Sequence, residues 1–427
     1  MPSDRLFNRG YVSLLAAQFL GAANDNILKQ CITLCVATGG IWFDQFGEGG
    51  QAIPTICMTL PFIFLSGYGG FIADRVSKRS VILGVKIAEI PIAVIALFGF
   101  LSQNLWLALG SLVLLSIQSA FFGPAKYGVI PELIADKHLS LANGLINMFT
   151  NLAVIAGSLA AGPLIDAFYP TKEVDGVIPD AVTLAPGVPL VCVAIVGLVS
   201  VIWLPRLVAA NPQLKLELNP FRTYYDSLVD MAKTPVLLVT LAWSGFYLVG
   251  ALALLIIPEY RSILEIDNTK TSLLLGVLGV TIAIGSVSCG IAAGKEIRPW
   301  FVPFGAAGMT AAFLLLGTLR PTYLNVSVLI GVAGVSAGFY IVPLQALMQS
   351  LSPDDERGRF LGTANALSFC FITLASLIFL GVSKLGMPPN RIHLICGALA
   401  FVGTYLGISK MRNLRARRLE QEVREAS

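Results

Sequence analysis

The sequence predicts an all-α membrane protein in which twelve transmembrane helices form two pseudo-symmetric six-helix halves. Three observations support this prediction. The chain of 427 residues is 56% hydrophobic and only 13% charged, long apolar runs recur along it, and its longest internal polar interval lies near the middle. Soluble proteins carry about 25% charged residues, so an ordinary soluble protein is excluded. Twelve spans of about 20 residues would use about 240 positions, which leaves no room for a large soluble domain.

Each predicted span is an apolar run bounded by polar residues, proline or glycine. The runs are 11–37, 51–72, 80–101, 104–123, 140–165, 187–205, 235–260, 270–293, 300–319, 322–349, 359–384 and 392–410. The proline-containing polar interval after the sixth run divides them six and six. The predicted organisation is therefore an N-terminal half over 1–205, a cytoplasmic linker over 206–234, a C-terminal half over 235–411 and a basic cytoplasmic tail over 412–427.

The charges and cysteines narrow the class of function. A formal net charge of +4 is too small to indicate nucleic-acid binding. Most Lys and Arg residues lie in the loops on one predicted side, and basic loops stay in the cytoplasm, so both termini are predicted to be cytoplasmic. The seven cysteines include no C-x-x-C pair. We therefore expect no metal site and no disulfide framework.

Short patterns recur between the two predicted halves at offsets of 219 to 222 residues. They are segment 70–79 with 290–298, Pro124 with Pro343, and Ala142-Asn143 with Ala364-Asn365. Such duplication is typical of secondary transporters.

The loop between the second and third runs contains Gly70, Asp74, Arg75 and Arg79. It resembles the signature of the major facilitator superfamily, which has a glycine, three residues, an aspartate, a basic residue, one further residue, a glycine and two basic residues. Ser77 replaces the second glycine. The resemblance implies the major facilitator fold, with Gly70, Asp74, Arg75 and Arg79 as a cytoplasmic gate. The alternative is that the basic residues only set the topology.

The first run carries the side chains that are most costly to place in a bilayer. Gln18, Asp25 and Lys29 are spaced by seven and four residues and share one helical face. A charge at the centre of a span costs about 2.5 to 3.5 kcal/mol on insertion scales. Two interpretations stay open: an Asp25–Lys29 ion pair with a structural role, or charges that line a hydrated cavity and contact a zwitterionic or anionic substrate or a coupling cation.

Four further segments carry specific residues: 121–133, 141–145, Gln18-Phe19-Leu20 and Asn24-Asp25-Asn26. Together they resemble the lysophospholipid transporter family, a branch of the major facilitators. The resemblance implies a flippase of the bacterial inner membrane, which moves lysophosphatidylethanolamine and related lipids to the cytoplasmic leaflet for reacylation. By position, Asp25 and Lys126 would contact the headgroup. An interfacial Lys126 that reaches the membrane surface is the alternative.

Several other polar residues lie within the predicted spans. Asn143, Asn147 and Asn151 follow one another at four-residue steps, and this stripe is expected to face the cavity or a neighbouring helix. Lys86 and Glu89 are three residues apart, near the start of the third run, and are expected to pair. Glu259 is either a solvated helix end or a guard of an outer entrance. The complete predicted substrate site is Gln18, Asn24, Asp25, Asn26, Lys29, Lys126, Asn143 and Asn147.

These features predict a secondary transporter that moves lysophospholipids across the inner membrane by alternating access, without a cofactor. An acyltransferase acting downstream and a coupling cation are further partners left open. The alternative is a cation-coupled antiporter of amphipathic drugs, because Gly162 and Pro163 partly match the antiporter signature of the fifth span; Asp166 stands where that signature has a glycine. An enzyme is not expected, since the G-x-S-x-G match at 334–338 lies in an apolar helix and suits close packing better than a nucleophile.

Overall fold

The computed structural model describes residues 4–135, 138–171, 178–205, 207, 220–293, 298–352, 357–402 and 405. This part of the chain is helical and contains no β-strand. The helices are α1 (Arg9–Val36), α2 (Phe43–Phe46), α3 (Ala52–Arg75), α4 (Lys78–Leu101), α5 (Leu105–Leu133), α6 (Leu139–Phe168), α7 (Gly187–Ser200), α8 (Pro220–Ala232), α9 (Val236–Ile256), α10 (Tyr260–Ile263), α11 (Asn268–Ala293), α12 (Phe301–Thr318), α13 (Tyr323–Leu351), α14 (Arg357–Lys384) and α15 (389–402).

The predicted all-α class is confirmed, and the protein is a multi-pass membrane protein. Within the described residues, eight helices are long and apolar enough to cross a membrane. The eight do not include α1, whose polar residues between Gln18 and Gln30 lower its mean hydropathy. Each predicted run up to 359–384 overlaps a helix, and the one in the sixth run, α7, has only 14 residues. The count of twelve spans stays a prediction.

Helix α5 extends beyond the predicted fourth run. The predicted run ends at 123, just before Pro124, a residue that often ends a helix. The helix instead continues to Leu133, with Pro124 and Pro131 inside it. Interior prolines are tolerated in membrane helices because neighbouring groups satisfy the freed carbonyls. As a result, Lys126 lies inside α5 and not at its end.

The chain divides into two compact units. Unit 1 comprises Met1–Thr223, Ile257–Gly276 and Ser376–Leu385. Its buried apolar side chains form two clusters, one that includes Phe100 and Leu112 and one that includes Tyr11 and Ile130. In α6, a Cβ atom on Gly157 would lie 2.8 Å from the carbonyl oxygen of Ala23 in α1. The absence of a side chain there lets α1 and α6 pack closely.

Unit 2 comprises Tyr224–Ile256, Val277–Ala375 and Gly386–Ser427. Glycines bring its helices together: a Cβ on Gly338 of α13 would collide with the backbone of Gly285 and Ser286 in α11. On Gly305 of α12 it would lie 2.6 Å from the backbone nitrogen of Tyr340 in α13. The G-x-S-x-G segment is therefore a packing face, as predicted.

Helix α8 lies within the predicted linker. Residues 206 and 208–219 of that linker, and the whole of the predicted tail over 412–427, lie outside the described residues. Met231 of α8 forms a small buried cluster with Val236 and Phe360 in unit 2.

Candidate functional site

Asp25 of α1 makes a direct contact with α5. Its Oδ2 atom accepts a hydrogen bond of 2.8 Å from the Ser119 hydroxyl. The other carboxylate oxygen, Oδ1, is buried and has no hydrogen-bond partner among the described residues. A buried oxygen without a hydrogen bond is costly. A donor that reached Asp25 Oδ1 would therefore bind favourably.

A buried polar network lies beside Asp25. Glu89 of α4 accepts a hydrogen bond from Asn24 Nδ2 (2.9 Å) through Oε1 and pairs with Lys86 Nζ (2.6 Å) through Oε2. The side chains of Lys86 and Glu89 are 1% and 0% exposed. The predicted pairing is thus confirmed, but it lies in the interior of α4, eight residues or more after Lys78. Gly21 of α1 leaves room for it, since a Cβ there would lie 2.6 Å from Lys86 Nζ.

Lys126 is a buried cation on α5 and is only 8% exposed. Its ammonium lies over the rings of Phe122 and Tyr127, 5.9 and 4.6 Å from their centroids. Such contacts stabilise a cation partly removed from water. Asp25 and Lys126 also attract each other electrostatically. This position does not fit the alternative in which Lys126 reaches the membrane surface.

The other predicted residues of α1 have separate contacts. Gln18 is buried and donates a 2.7 Å hydrogen bond to the hydroxyl of Thr150 in α6. Asn26 donates to the carbonyl one turn earlier in its own helix (2.8 Å). Within the part of the chain that the structure describes, Lys29 forms no ion pair with Asp25. The structural interpretation of these two charges as a mutual pair is therefore not supported.

The side chains of Asn143 and Asn147 lie outside the described residues, although the backbone of α6 is described there. Thr150 is three residues after Asn147 in the same helix, and it contacts Gln18 of α1. The role of the two asparagines stays a prediction.

The predicted gate is described in part. The surroundings of Gly70 and the side chain of Asp74 lie outside what the structure describes, and Arg75 is exposed. Arg79 donates a 2.8 Å hydrogen bond from Nε to the carbonyl oxygen of Leu204. The gate function stays a prediction.

The loop also makes an ion pair that the sequence did not indicate. Lys78 pairs with Glu132 of α5 at 2.6 Å. The pair links the start of α4 to the last turn of α5, and no local pattern reveals partners so far apart in the chain.

Sequence reasoning also missed two polar residues at the candidate site. Ser119 holds Asp25, and Gln118 lies 3.5 Å from Glu89 Oε2 through its Nε2 atom. Both interrupt the apolar run 104–123. Polar side chains are costly to place in a bilayer, and this cost singles out Ser119 and Gln118 just as it does the polar residues of the first run.

The sequence is similar to known proteins over most of its length. The model of the Major Facilitator Superfamily matches residues 41–377. The Lysophospholipid transporter LplT of Serratia proteamaculans (strain 568) is 27% identical over 398 residues, 91% of each chain. That of Cronobacter sakazakii (strain ATCC BAA-894) is 27% identical over 95% of this chain and 97% of the relative. That of Shigella sonnei (strain Ss046) is 28% identical over 92% and 94%. These relatives confirm the resemblance drawn from the motifs, and the span of the family match shows that the chain belongs to the Major Facilitator Superfamily.

Proposed function

We propose that the protein is a secondary transporter that moves lysophospholipids of the lysophosphatidylethanolamine type across a bacterial inner membrane by alternating access. One observation carries the proposal: α5 contacts the Asp25 carboxylate through Ser119 and places the buried ammonium of Lys126 seven residues later, while Asp25 Oδ1 is buried without a partner among the described residues. An acidic and a basic group held within spans can receive the ammonium and the phosphate of a zwitterionic headgroup. The relatives named as lysophospholipid transporters support the same cargo.

In this mechanism the headgroup ammonium donates a hydrogen bond to Asp25 Oδ1. Lys126 meets the phosphate as a compact point charge. The side-chain oxygens of Asn24 and Gln118 are also buried without a partner among the described residues, and they offer further acceptors for headgroup donors. The acyl chain stays in apolar surroundings, between the halves or in lipid, because it gains nothing from the polar residues.

The proposal includes the membrane arrangement that the sequence predicts. Twelve spans form the halves 1–205 and 235–411, the linker 206–234 and both termini are cytoplasmic, and the residues Gly70, Asp74, Arg75 and Arg79 open as the halves rock. An acyltransferase consumes the delivered lysolipid. If transport is coupled to a cation, Asp25 is the group that binds it.

Flipping of radiolabelled lysophosphatidylethanolamine in proteoliposomes tests the proposal. We expect Asp25→Asn and Lys126→Gln to lower the initial rate at least about tenfold, because each removes a charge-assisted contact worth about 1.5 kcal/mol or more. Asp180→Asn is the matched control: Asp180 is exposed, outside the site, and its change should leave the rate unaltered.

Flipping that is unaffected by Asp25→Asn would show that the site assignment is wrong. Efflux of an amphipathic drug that needs Asp25, without any lysolipid flipping by the wild type, would instead support the antiporter alternative.

A further inference from the structure

Two carboxylates in unit 1, Asp166 and Glu259, connect the ends of α1, α3 and α6 to the segment Ile257–Gly276. We propose that they form a latch, which holds the segment Ile257–Gly276 against the ends of these helices within unit 1 and opens once in each transport cycle. The inference rests on the alternating access proposed above, and it assigns a role to two acidic residues that substrate binding does not use.

Asp166 of α6 caps the first turn of α11. Its Oδ1 accepts hydrogen bonds from the backbone N–H and the side-chain Nδ2 of Asn268 (3.1 and 2.8 Å). Its Oδ2 accepts from the backbone N–H and the hydroxyl of Thr269 (2.8 and 2.6 Å). The first N–H groups of a helix have no partner within the helix, and negative charge is favourable there. A residue about 100 positions earlier thus supplies a cap that water would otherwise provide.

Glu259 forms the second part of the latch. It is 2% exposed, so the predicted solvated helix end is wrong. Its Oε2 accepts a 2.7 Å hydrogen bond from the hydroxyl of Thr38, just after α1, and its Oε1 accepts one from the amide of Gln51, just before α3. The carboxylate therefore joins the ends of two helices of the predicted first half to the chain that follows α9.

A buried arginine balances the acidic charges of the latch. Arg261 is 8% exposed, and its Nη2 donates a 3.2 Å hydrogen bond to the hydroxyl of Thr171. Its guanidinium attracts the carboxylates of Asp166 and Asp267. Its Nη1 atom is buried without a hydrogen-bond partner among the described residues, so the attraction to these carboxylates offsets only part of the cost of burying the charge.

The chemistry of these contacts suits repeated opening. When water reaches these carboxylates, hydrogen bonds to water replace the hydrogen bonds to the protein. Each of the protein hydrogen bonds therefore contributes only a small net free energy. The N–H groups of Asn268 and Thr269, which are bonded to Asp166 here, would bond to water when the latch opens. Beneath them, Gly162 lets α6 approach α11: a Cβ there would lie 2.6 Å from Ser272 Oγ. This packing explains the small residue that also suggests an antiporter signature.

Ser272 provides a reporter for opening, because it is 1% exposed and lies under the Asp166 contact. The seven native cysteines are replaced by serine, and Ser272→Cys is introduced into this cysteine-free protein. The variant is treated with a membrane-impermeant maleimide, in intact cells and in inverted vesicles. We expect slow labelling in this parent and labelling faster by about tenfold with Asp166→Asn, as loss of one charged acceptor predicts. Glu259→Gln and Thr269→Val should give smaller increases, since each removes only part of the latch.

Asp180→Asn is the matched control, because it removes an exposed acidic charge that takes no part in the latch, and it should label at the parent rate. Unchanged labelling with Asp166→Asn, or an equal rise with Asp180→Asn, would overturn the proposal. If Asp166→Asn fails to fold, Thr269→Val carries the test because it keeps the size of the side chain. Labelling needs no lipid substrate, so failure of the latch and failure of the proposed cargo are separate results.

Discussion

At the scale of single residues, the Lys86–Glu89 pair is the clearest test of how buried charge is tolerated in unit 1. Glu89→Gln leaves the Lys86 ammonium buried without its carboxylate, and we expect a loss of about 3 to 5 kcal/mol in the free energy of unfolding. The exposed pair Lys233–Asp230 has the same i, i+3 spacing, with side chains 69% and 34% exposed. Asp230→Asn should therefore cost at most about 1 kcal/mol.

Thermal unfolding of both variants in detergent measures this difference. Equal melting temperatures for Glu89→Gln and Asp230→Asn would show that burial of the Lys86–Glu89 pair does not stabilise the fold.

Single residues also show which side-chain contacts the sequence can predict and which it cannot. The Lys86–Glu89 pairing follows from spacing because both residues lie on one helix, where i and i+3 are neighbours. Ser119 donates to Asp25 from a different helix, 94 residues further along the chain. Contacts of that kind depend on which helices pack together, and no local pattern in one sequence encodes that.

At the scale of helices, close packing of α1 on α6 positions the candidate site. Gly157→Val would place Cβ 2.8 Å from the Ala23 carbonyl oxygen and 3.0 Å from Asn26 Cβ, and must push the two helices apart. Overpacking of this kind costs about 1 to 3 kcal/mol, and the shift should also slow lysolipid flipping. Gly110→Val is the control, since a Cβ on Gly110 meets nothing within 4 Å.

Melting temperatures and flipping rates of the two glycine variants, measured on the same preparations, check this prediction. If Gly157→Val behaves like Gly110→Val in both measurements, the α1–α6 contact is not what positions Asp25 and Gln18.

Helix boundaries show where local rules fail in a membrane. Gly123-Pro124 and Pro131 would end a helix in water, yet both prolines lie within α5. Asn104, by contrast, caps the start of the same helix through hydrogen bonds from the N–H groups of Trp106 and Leu107, as a capping residue does in any solvent. Capping depends on the side chain alone, whereas the effect of proline depends on what surrounds the freed carbonyl.

At the scale of the whole molecule, hydropathy and one loop pattern were enough to predict the family, because each can be read from short segments of one sequence. The contacts between Asp166 and the start of α11 could not be predicted. They join positions 102 and 103 residues apart, and in the sequence Asp166 is only a departure from a signature.

Orientation in the membrane determines at which face the latch acts. The distribution of Lys and Arg predicts that the loop between α6 and α7 is outside and the loop between α3 and α4 is cytoplasmic. In the cysteine-free background, Asp180→Cys should react with an impermeant maleimide in intact cells, and Ser80→Cys only after permeabilisation; both positions are exposed. The reverse pattern would invert the topology. The latch at Asp166 lies on the same helix end as the loop that contains Asp180, so it would then act at the cytoplasmic face.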